Sequence, residues 1–214
     1  MNKLFLVCAA LAFSCPALAQ SVSYDANPST PFTYGSGNNY TPANAVVLTQ
    51  GDNELAARFH LNGVTAPSSG GDGVYDFALG SNTLGFDFSI VGATSNANLL
   101  LTNLLTGQTA QLNPLLLGDA NGALPGIQNS EQLGFSFLNN NTCCGTLGFN
   151  PNIDNTYRLD LTAGTNTVTA FARVGAGAGA VPEPATWAMM LLGFGGIGMA
   201  LRRRKANVRV SQIA

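Results

Sequence analysis

Apolar and polar residues alternate along several short stretches of the chain. The clearest is residues 84–90, where every second residue is a large apolar one and the others are small or polar. Residues 54–61 alternate in the same way and place Arg58 and His60 opposite the apolar positions. A period of two residues indicates a strand with one buried and one exposed face. We therefore expect two half-buried strands, with Arg58 and His60 on a polar face.

Two further stretches predict hairpins. Residues 98–105 are mostly apolar, and a Thr-Gly pair turns the chain back into residues 108–112. Residues 157–162 and 168–174 both alternate, and the sequence Ala-Gly-Thr-Asn lies between them. Two β-type runs separated by a short Gly-containing turn are typical of a β-hairpin. In the first hairpin we expect the strand at 98–105 to be buried on both faces.

The remaining stretches are strands or loops by composition. Residues 133–137 alternate and predict one more strand. Residues 22–40 are rich in Pro, Asn, Ser and Gly and predict an extended entry segment with an edge strand near 32–34. Residues 67–73 and 113–131 hold clustered turn residues and predict loops.

These stretches add up to eight or nine short strands, separated by turn residues, with no amphipathic helix between them. Such a series is typical of an all-β fold made of two packed sheets. We predict an antiparallel, jelly-roll-like β-sandwich over residues 20–174. The alternation places one face of each sheet against the other sheet.

The first 19 residues have a different character. A basic residue near the start is followed by an apolar run over residues 4–13, and Ala17 and Ala19 have the small side chains of a cleavage site. This order is typical of a secretory signal peptide. Residues 1–19 are therefore predicted to be removed, which leaves Gln20 as the first residue of the exported protein.

A second apolar run lies near the C-terminus. Residues 185–201 carry no charge, and as a helix they would measure about 25 Å at 1.5 Å per residue, slightly less than a hydrocarbon core of about 30 Å. A basic cluster follows, and it favours the cytoplasmic side of a membrane. We therefore predict a transmembrane helix over 185–201, with a stop-transfer cluster made of Arg202, Arg203, Arg204 and Lys205.

Five residues before and at the start of this run give it a distinct signature: Pro182, Glu183, Pro184, Trp187 and Ala188. Together with the Gly-rich apolar run and the Arg-rich end, they resemble the PEP-CTERM sorting signal, in its PEPxxWA variant. The resemblance covers about residues 181–205 and differs in continuing for nine more residues. A plain single-span anchor is the alternative, but such an anchor does not require the Pro-Glu-Pro and Trp-Ala elements.

The resemblance implies an address rather than an activity. Proteins with this signal are processed by an exosortase, an intramembrane transpeptidase-like enzyme, and are exported to the surface or exopolysaccharide matrix of Gram-negative bacteria. The chain then divides into the signal peptide, the β-domain, a Gly/Ala linker at 175–181, the sorting signal at 182–205 and a short cytoplasmic tail at 206–214. The inner membrane is a transient partner, and exopolysaccharide is a further one.

The charge of the exported part excludes one class of partner. Only 9% of all residues are charged, and the chain contains 25 Gly. Between residues 20 and 180 there are ten Asp or Glu and three Arg, which gives a net charge of −7. A nucleic-acid-binding domain needs a basic surface, so no nucleic acid is expected as a partner.

Catalytic and metal-binding signals are weak. His60 is the single histidine, and no nucleophile motif accompanies it. Carboxylates that could form a glycosidase pair are numerous, but each fits a turn or a solvated strand position: Asp72, Asp76, Asp87, Asp119, Asp154 and Asp160. Loops 71–76 and 118–122 offer oxygen ligands to calcium without the EF-hand spacing. We expect no enzymatic activity, no cofactor and no metal.

The cysteines leave alternatives open. Cys15 offers a lipoprotein alternative to simple cleavage, although the bulky Phe13 fits a lipobox poorly. Cys143 and Cys144 are neighbours, with Cα atoms about 3.8 Å apart across a trans peptide, which is below the usual range for a disulfide. They are a candidate vicinal disulfide, and separate thiols or bonds to other chains are the alternatives.

These observations predict a secreted, surface-sorted protein with a structural or adhesive role linked to exopolysaccharide or biofilm. A carbohydrate-binding module is one alternative, and it would use exposed Tyr and Phe on one sheet face. A secreted hydrolase of matrix polymers is another, and it would need two carboxylates that converge in a cleft.

Overall fold

The computed structural model describes residues 19–32, 44–92, 94–118 and 125–175, together with Phe194. This part of the chain is mostly β-strand, with one 3₁₀ turn at Pro114–Leu116 and one short helix, α1, at Ser136–Asn139. The strands are β1 (Gln20–Ala26), β2 (Ala45–Gln50), β3 (Asn53–Leu61), β4 (Val74–Phe77), β5 (Leu84–Val91), β6 (Asn98–Asn103), β7 (Thr109–Leu112), β8 (Ile127–Gln132), β9 (Asn155–Ala163) and β10 (Asn166–Val174).

The strands form two five-stranded sheets. Sheet I has the order β1-β2-β3-β5-β8, and sheet II has the order β4-β10-β9-β6-β7. Neighbouring strands are antiparallel except for β4, which pairs with β10 in parallel. The all-β prediction is confirmed. A jelly roll has eight antiparallel strands, whereas the described part has ten strands and one parallel pair, so the jelly-roll-like detail of the prediction does not match.

The two sheets share one hydrophobic core. It contains Leu55 and Phe86 from sheet I and Leu99 and Leu159 from sheet II, all of them buried. Phe59 of β3 and Tyr75 of β4 meet edge to face across the core, with ring centroids 6.3 Å apart. Side chains from both inner faces therefore fill one layer between the sheets, as expected of packed sheets.

The two predicted hairpins are present. β9 and β10 pair from Asn166 opposite Ala163 to Val174 opposite Asn155. One set of alternating residues in each strand is buried: Tyr157, Leu159 and Leu161 in β9, and Val168, Ala170, Ala172 and Val174 in β10. β6 and β7 pair around the turn at 104–108. β6, however, alternates between buried and partly buried residues, so the expectation that it is buried on both faces was wrong.

Residues 133–137 do not form the predicted strand. The strand is the polar β8, which precedes them, and the chain then turns into α1. Leu133 and Leu138 anchor this turn in the core, and the side-chain amide of Asn139 donates hydrogen bonds to the carbonyls of Leu133 and Phe135. The apolar spacing therefore marks a tight turn packed on the core.

Besides β8, two other strands were not predicted. β1 lies at the edge of sheet I, earlier in the chain than the edge strand expected near 32–34. Phe32 is buried but belongs to no strand, and residues 33 and 34 lie outside the described part. β4 is only four residues long, and it follows the loop expected at 67–73. β4 is too short for an alternating pattern to predict it. β1 does alternate at Val22, Tyr24 and Ala26, but we assigned it to the irregular entry segment because residues rich in Pro, Asn and Gly follow.

β3 and β5 are buried on both faces, so the expectation of half-buried strands was wrong. Residues 54–60 and 84–90 are buried throughout. The outer face of sheet I is covered by the segment that follows β1, in which Pro28, Thr30 and Phe32 are buried. Phe32 packs there in a second small cluster with Ala45, Val47 and Ala56.

The signal peptide up to Leu18, the linker from 176 and the sorting signal with its predicted helix 185–201 lie outside the described residues, apart from Phe194. Cys15 and Asp119 lie outside them as well. Within the described part, no helix has the length and apolar character needed to cross a membrane.

Candidate functional site

The outer face of sheet I buries a cluster of ionisable side chains. Antiparallel pairing sets Arg58 of β3 opposite Asp87 of β5, and Arg58 Nε donates a hydrogen bond to Asp87 Oδ2 at 2.6 Å. His60 lies two residues along β3 and therefore faces the same way. Its Nε2 atom is 2.9 Å from the other carboxylate oxygen, Oδ1. Arg58 and Asp87 are fully buried and His60 nearly so.

A cover made of residues 28–32 lies over the part of this cluster around Arg58. The Arg58 guanidinium lies 4.5 Å from the centre of the Phe32 ring, within the range of a cation–π contact. The side-chain amide of Gln128 donates to the Thr30 carbonyl and to Ser89 Oγ, which ties the cover to β5 and β8. Near the start of β3, the Glu54 carboxylate accepts hydrogen bonds from the backbone N–H and the hydroxyl of Ser29.

The ionisation state of Asp87 follows from its neighbours. Burial alone would raise the pKa of this carboxyl, because desolvation disfavours the charged form. His60 and Arg58 act in the opposite direction and hold the pKa of Asp87 below its usual value. Asp87 is therefore a carboxylate, and its negative charge compensates the buried Arg58.

Ser130 completes a group of residue types that resembles a hydrolase triad, but its geometry differs. Ser130 Oγ is 3.2 Å from His60 Nε2, the same ring nitrogen that faces Asp87. The other ring nitrogen, Nδ1, contacts the Leu61 carbonyl. In a Ser–His–Asp triad the acid and the nucleophile contact opposite nitrogens. The arrangement therefore binds β3, β5 and β8 together.

The two neighbouring cysteines lie beside a surface cleft. A disulfide joins Cys143 to Cys144. The cleft has a volume of about 390 Å³, in the range typical of small-molecule sites. Its lining is mainly apolar with two amide side chains, and it consists of Gln111, Leu112, Asn113, Leu116, Leu117, Phe137, Cys143 and Cys144.

The disulfide loop is held against the edge of sheet II. The Cys144 carbonyl accepts a hydrogen bond from the Gln111 backbone, and Gly145 forms a bridge with Ala110 of β7. Gly145 has a φ of 111°, and a Cβ atom there would collide with the Thr109 carbonyl. Glycine is therefore required where the loop meets β7, and this contact fixes the disulfide at the rim of the cleft.

Three of the carboxylates singled out in the sequence have partners within the protein. Asp72 caps the Val74 backbone, Asp76 pairs with Arg173, and Asp160 binds Arg158 and Thr169. Among residues 19–32, 44–92, 94–118 and 125–175, no three His, Cys, Asp or Glu side chains are grouped so that they could hold a metal ion.

A carboxylate that the sequence analysis did not single out organises residues 68–71, next to a loop whose oxygen ligands were considered for calcium. Asp25 has a φ of 48°, and its two oxygens accept hydrogen bonds from Ser68, Ser69 and Gly71. Burial would raise the pKa of Asp25, but these hydrogen bonds lower it below its usual value. Both oxygens of Asp25 are thus hydrogen-bonded to donors of the protein.

Sequence reasoning predicted Arg58 and His60 as surface residues and did not predict their partners. Ser130 and Gln128 lie in a segment read as loop, and Phe32 lies 26 residues from Arg58. Two features of the sequence could have indicated the buried pair. Arg58 is a charged residue within the alternating pattern of β3, and Asp87 is one of opposite charge within the pattern of β5. Two opposite charges on strong strands are best explained as a buried pair.

The two sheets and the C-terminal signature define an exported β-rich protein with a sorting signal. The model of the PEP-CTERM protein-sorting motif matches residues 180–205, which identifies that signal. The motif implies export, membrane-anchored sorting and processing by an exosortase. No curated protein matches the chain significantly, and no solved structure does. The matched residues include Pro182, Glu183, Pro184, Trp187 and Ala188 as well as the basic cluster.

Proposed function

We propose that the exported domain is a non-enzymatic structural or adhesive component of the cell surface or of an exopolysaccharide matrix. The observation that carries this proposal is the order of parts. A β-domain ends at Val174, a short linker follows, and the PEP-CTERM motif begins at residue 180. In this proposal the motif directs the protein to the cell surface, and the β-domain performs the structural or adhesive role there.

The packing of the domain suits a structural role. β3 and β5 lie at the centre of a sheet covered on both faces, and Arg58 and Asp87 cross-link them there. A folded domain outside the cell gains from such a closed interior. Its net charge of −7 disfavours direct contact with anionic polymers without a bridging cation, so a neutral polysaccharide is the better partner.

The cleft beside the disulfide favours carbohydrate binding as a second candidate. A sugar ring has an apolar C–H face and a rim of hydroxyls. The cleft presents Leu116, Leu117 and the Phe137 ring for the apolar face, and the amides of Gln111 and Asn113 for the hydroxyls. An adhesive domain with such a cleft would hold matrix chains without altering them.

The hydrolase alternative has less support. Within the described residues, His60, Asp87 and Ser130 come together, but Ser130 and Asp87 share one ring nitrogen, and Asp87 is fully buried. The exposed carboxylates Asp72 and Asp76 already serve as a turn cap and an ion-pair partner. We therefore assign these five residues a role in stabilising the fold and not in catalysis.

The test uses the polysaccharide made by the producing cells. The protein should fractionate with that polysaccharide, enzymatic digestion of the polymer should release it, and loss of the chain should weaken the matrix mechanically. The purified protein should leave the polymer length unchanged on prolonged incubation. Shortening of the polymer would support the hydrolase instead, and release without digestion would contradict a matrix role.

A further inference from the structure

The exposed apolar side chains of the domain are concentrated at one end. Leaving out Phe194 in the sorting motif, nine large apolar side chains are exposed in the described part. Six of them lie at the end where β10 finishes at Val174, here called the exit end: Val64, Leu79, Leu104, Leu105, Phe135 and Ile153.

Contacts between loops place these side chains on one surface. The backbone of Gly80 donates to the Pro151 carbonyl, and Leu104 donates to the carbonyl of Thr156 near the start of β9. A Cβ atom built on Gly175 would lie 3.0 Å from the Leu79 side chain and would collide with Asp154. The tips that carry Leu79, Leu104 and Ile153 therefore surround the point where the chain leaves the domain.

The other two tips join the same surface through sheet I. Asn62 donates to the Thr83 carbonyl, which places the turn with Val64 beside the loop that carries Leu79. The Leu133 backbone donates to the Leu84 carbonyl, so the turn with Phe135 lies on the far side of that loop. Contiguous exposed apolar surface on a soluble domain marks an interaction site.

The chain itself indicates what this surface meets. Residues 176–181 separate Gly175 from Pro182, and six residues span at most about 22 Å. The sorting motif implies that the protein is membrane-anchored before processing. The exit end is therefore held within a few residues of the bilayer, whereas the opposite turn at 164–165 lies one nine-residue strand away, roughly 27 Å.

The composition of the tips suits a lipid interface. The five loop stretches 62–64, 78–83, 104–107, 133–136 and 151–153 contain no charged side chain. Apolar side chains among uncharged polar residues enter the boundary between headgroups and acyl chains without burying a charge. Asp154 follows the last stretch and lies beside Leu79 and Gly175 where the chain leaves the domain, so the tips surround one carboxylate, which has to stay at the level of the headgroups.

We propose that the exit end is a lipid-facing surface, which docks on the bilayer while the sorting motif anchors the precursor. Docking fixes the orientation of the domain and keeps the Pro182–Pro184 segment at the membrane surface, where the processing enzyme acts. Removal of the anchor then weakens the contact, because only the short apolar tips remain to hold the domain.

The test uses the full-length precursor reconstituted in vesicles of zwitterionic lipid that contain a quencher attached to the acyl chains. Cys8 and Cys15 are replaced by Ser, and an environment-sensitive dye is attached at Leu105→Cys without reductant, so that Cys143 and Cys144 stay paired. Leu105 is 62% exposed, so its replacement removes no core contact. The matched control carries the dye at Thr165→Cys in the exposed turn at the opposite end.

Docking predicts severalfold stronger quenching at position 105 than at position 165. A second version of the Leu105→Cys chain also carries Leu79→Ser and Ile153→Ser, and its quenching should fall towards the control. Equal quenching at the two positions would overturn the proposal. If the serine substitutions left the quenching unchanged, the linker alone would hold the domain close to the bilayer, and the proposal would be wrong. A dye response that depends on protein concentration and not on the lipid quencher would mean that a second copy covers the surface, and this too would overturn it.

Discussion

Arg58 of β3 and Asp87 of β5 form an ion pair with an Nε–Oδ2 distance of 2.6 Å and no solvent exposure on either side chain. The pair lies on the outer face of sheet I, which would be open to water without the cover formed by residues 28–32. A buried charge that loses its partner is costly, because solvent cannot replace the lost interaction.

Replacing Asp87 with Asn should therefore destabilise the protein strongly. The change removes the negative charge and leaves the buried Arg58 without the carboxylate that pairs with it, which costs about 3–5 kcal/mol in the free energy of unfolding. Asp76→Asn is the matched control, because it removes one partner of the ion pair with Arg173 on the surface and should cost about 0–1 kcal/mol. Denaturant unfolding of the purified mature protein measures both, and similar losses for the two variants would contradict the buried-pair account.

Glu131 should make stability depend on pH. Burial raises the pKa of this carboxyl from its ordinary value of 4.5 to about 7. Between these two values the folded state retains the proton that the unfolded state has lost, so stability falls as pH rises through this window. Glu131→Gln should flatten that part of the profile, whereas Asp52→Asn in the exposed β2–β3 turn should not. Unfolding midpoints at several pH values test this, and an unchanged slope in the Glu131 variant would refute it.

The cleft beside the disulfide should contribute to polysaccharide binding. Leu116 is 84% exposed, so Leu116→Ser leaves the core intact and removes apolar surface that a sugar ring would cover. A loss of about 1 kcal/mol, or about fivefold in affinity, is expected. Leu105→Ser changes an exposed leucine outside the cleft and should bind as before. Co-sedimentation with the insoluble matrix polysaccharide compares them, and equal retention would assign binding elsewhere.

Local patterns predicted the parts of the fold that depend on local sequence. The β9–β10 hairpin has a strong alternation and a Gly-containing turn, and both its register and its inward residues follow from them. β8 was not predicted, because its sequence is mainly polar and its partner β5 lies far from it in the sequence. β1 alternates, but the residues rich in Pro, Asn and Gly that follow it led to the prediction of an irregular segment. At 133–137 an apolar spacing of two residues is compatible with a turn as well as with a strand.

The candidate sites depend on contacts between distant segments. His60 was assigned to an exposed face because alternation normally separates buried from solvated residues, and here the outer face of β3 is buried as well as the inner one. No local pattern encodes the approach of Phe32 to Arg58 or of Gln128 to Thr30. The sorting motif could be predicted because a processing enzyme reads it as a linear sequence.

The central claim is that the Pro-Glu-Pro segment directs export and processing. Pro182 and Pro184 fix φ and lack the N–H donor, so they disfavour a helix through this segment and favour an extended backbone that a protease cleft can bind. Replacing Pro182, Glu183 and Pro184 with Ala should allow the helix to extend and close the site.

Cell fractionation with intact mass measurement of the native chain and the triple-Ala variant tests this claim most directly. The account predicts that the native protein begins at Gln20, loses its C-terminal tail and reaches the cell surface, and that the variant stays in the inner membrane with its tail intact. A triple-Ala variant that reached the surface in normal amount, with its tail removed, would contradict the account and favour a plain membrane anchor.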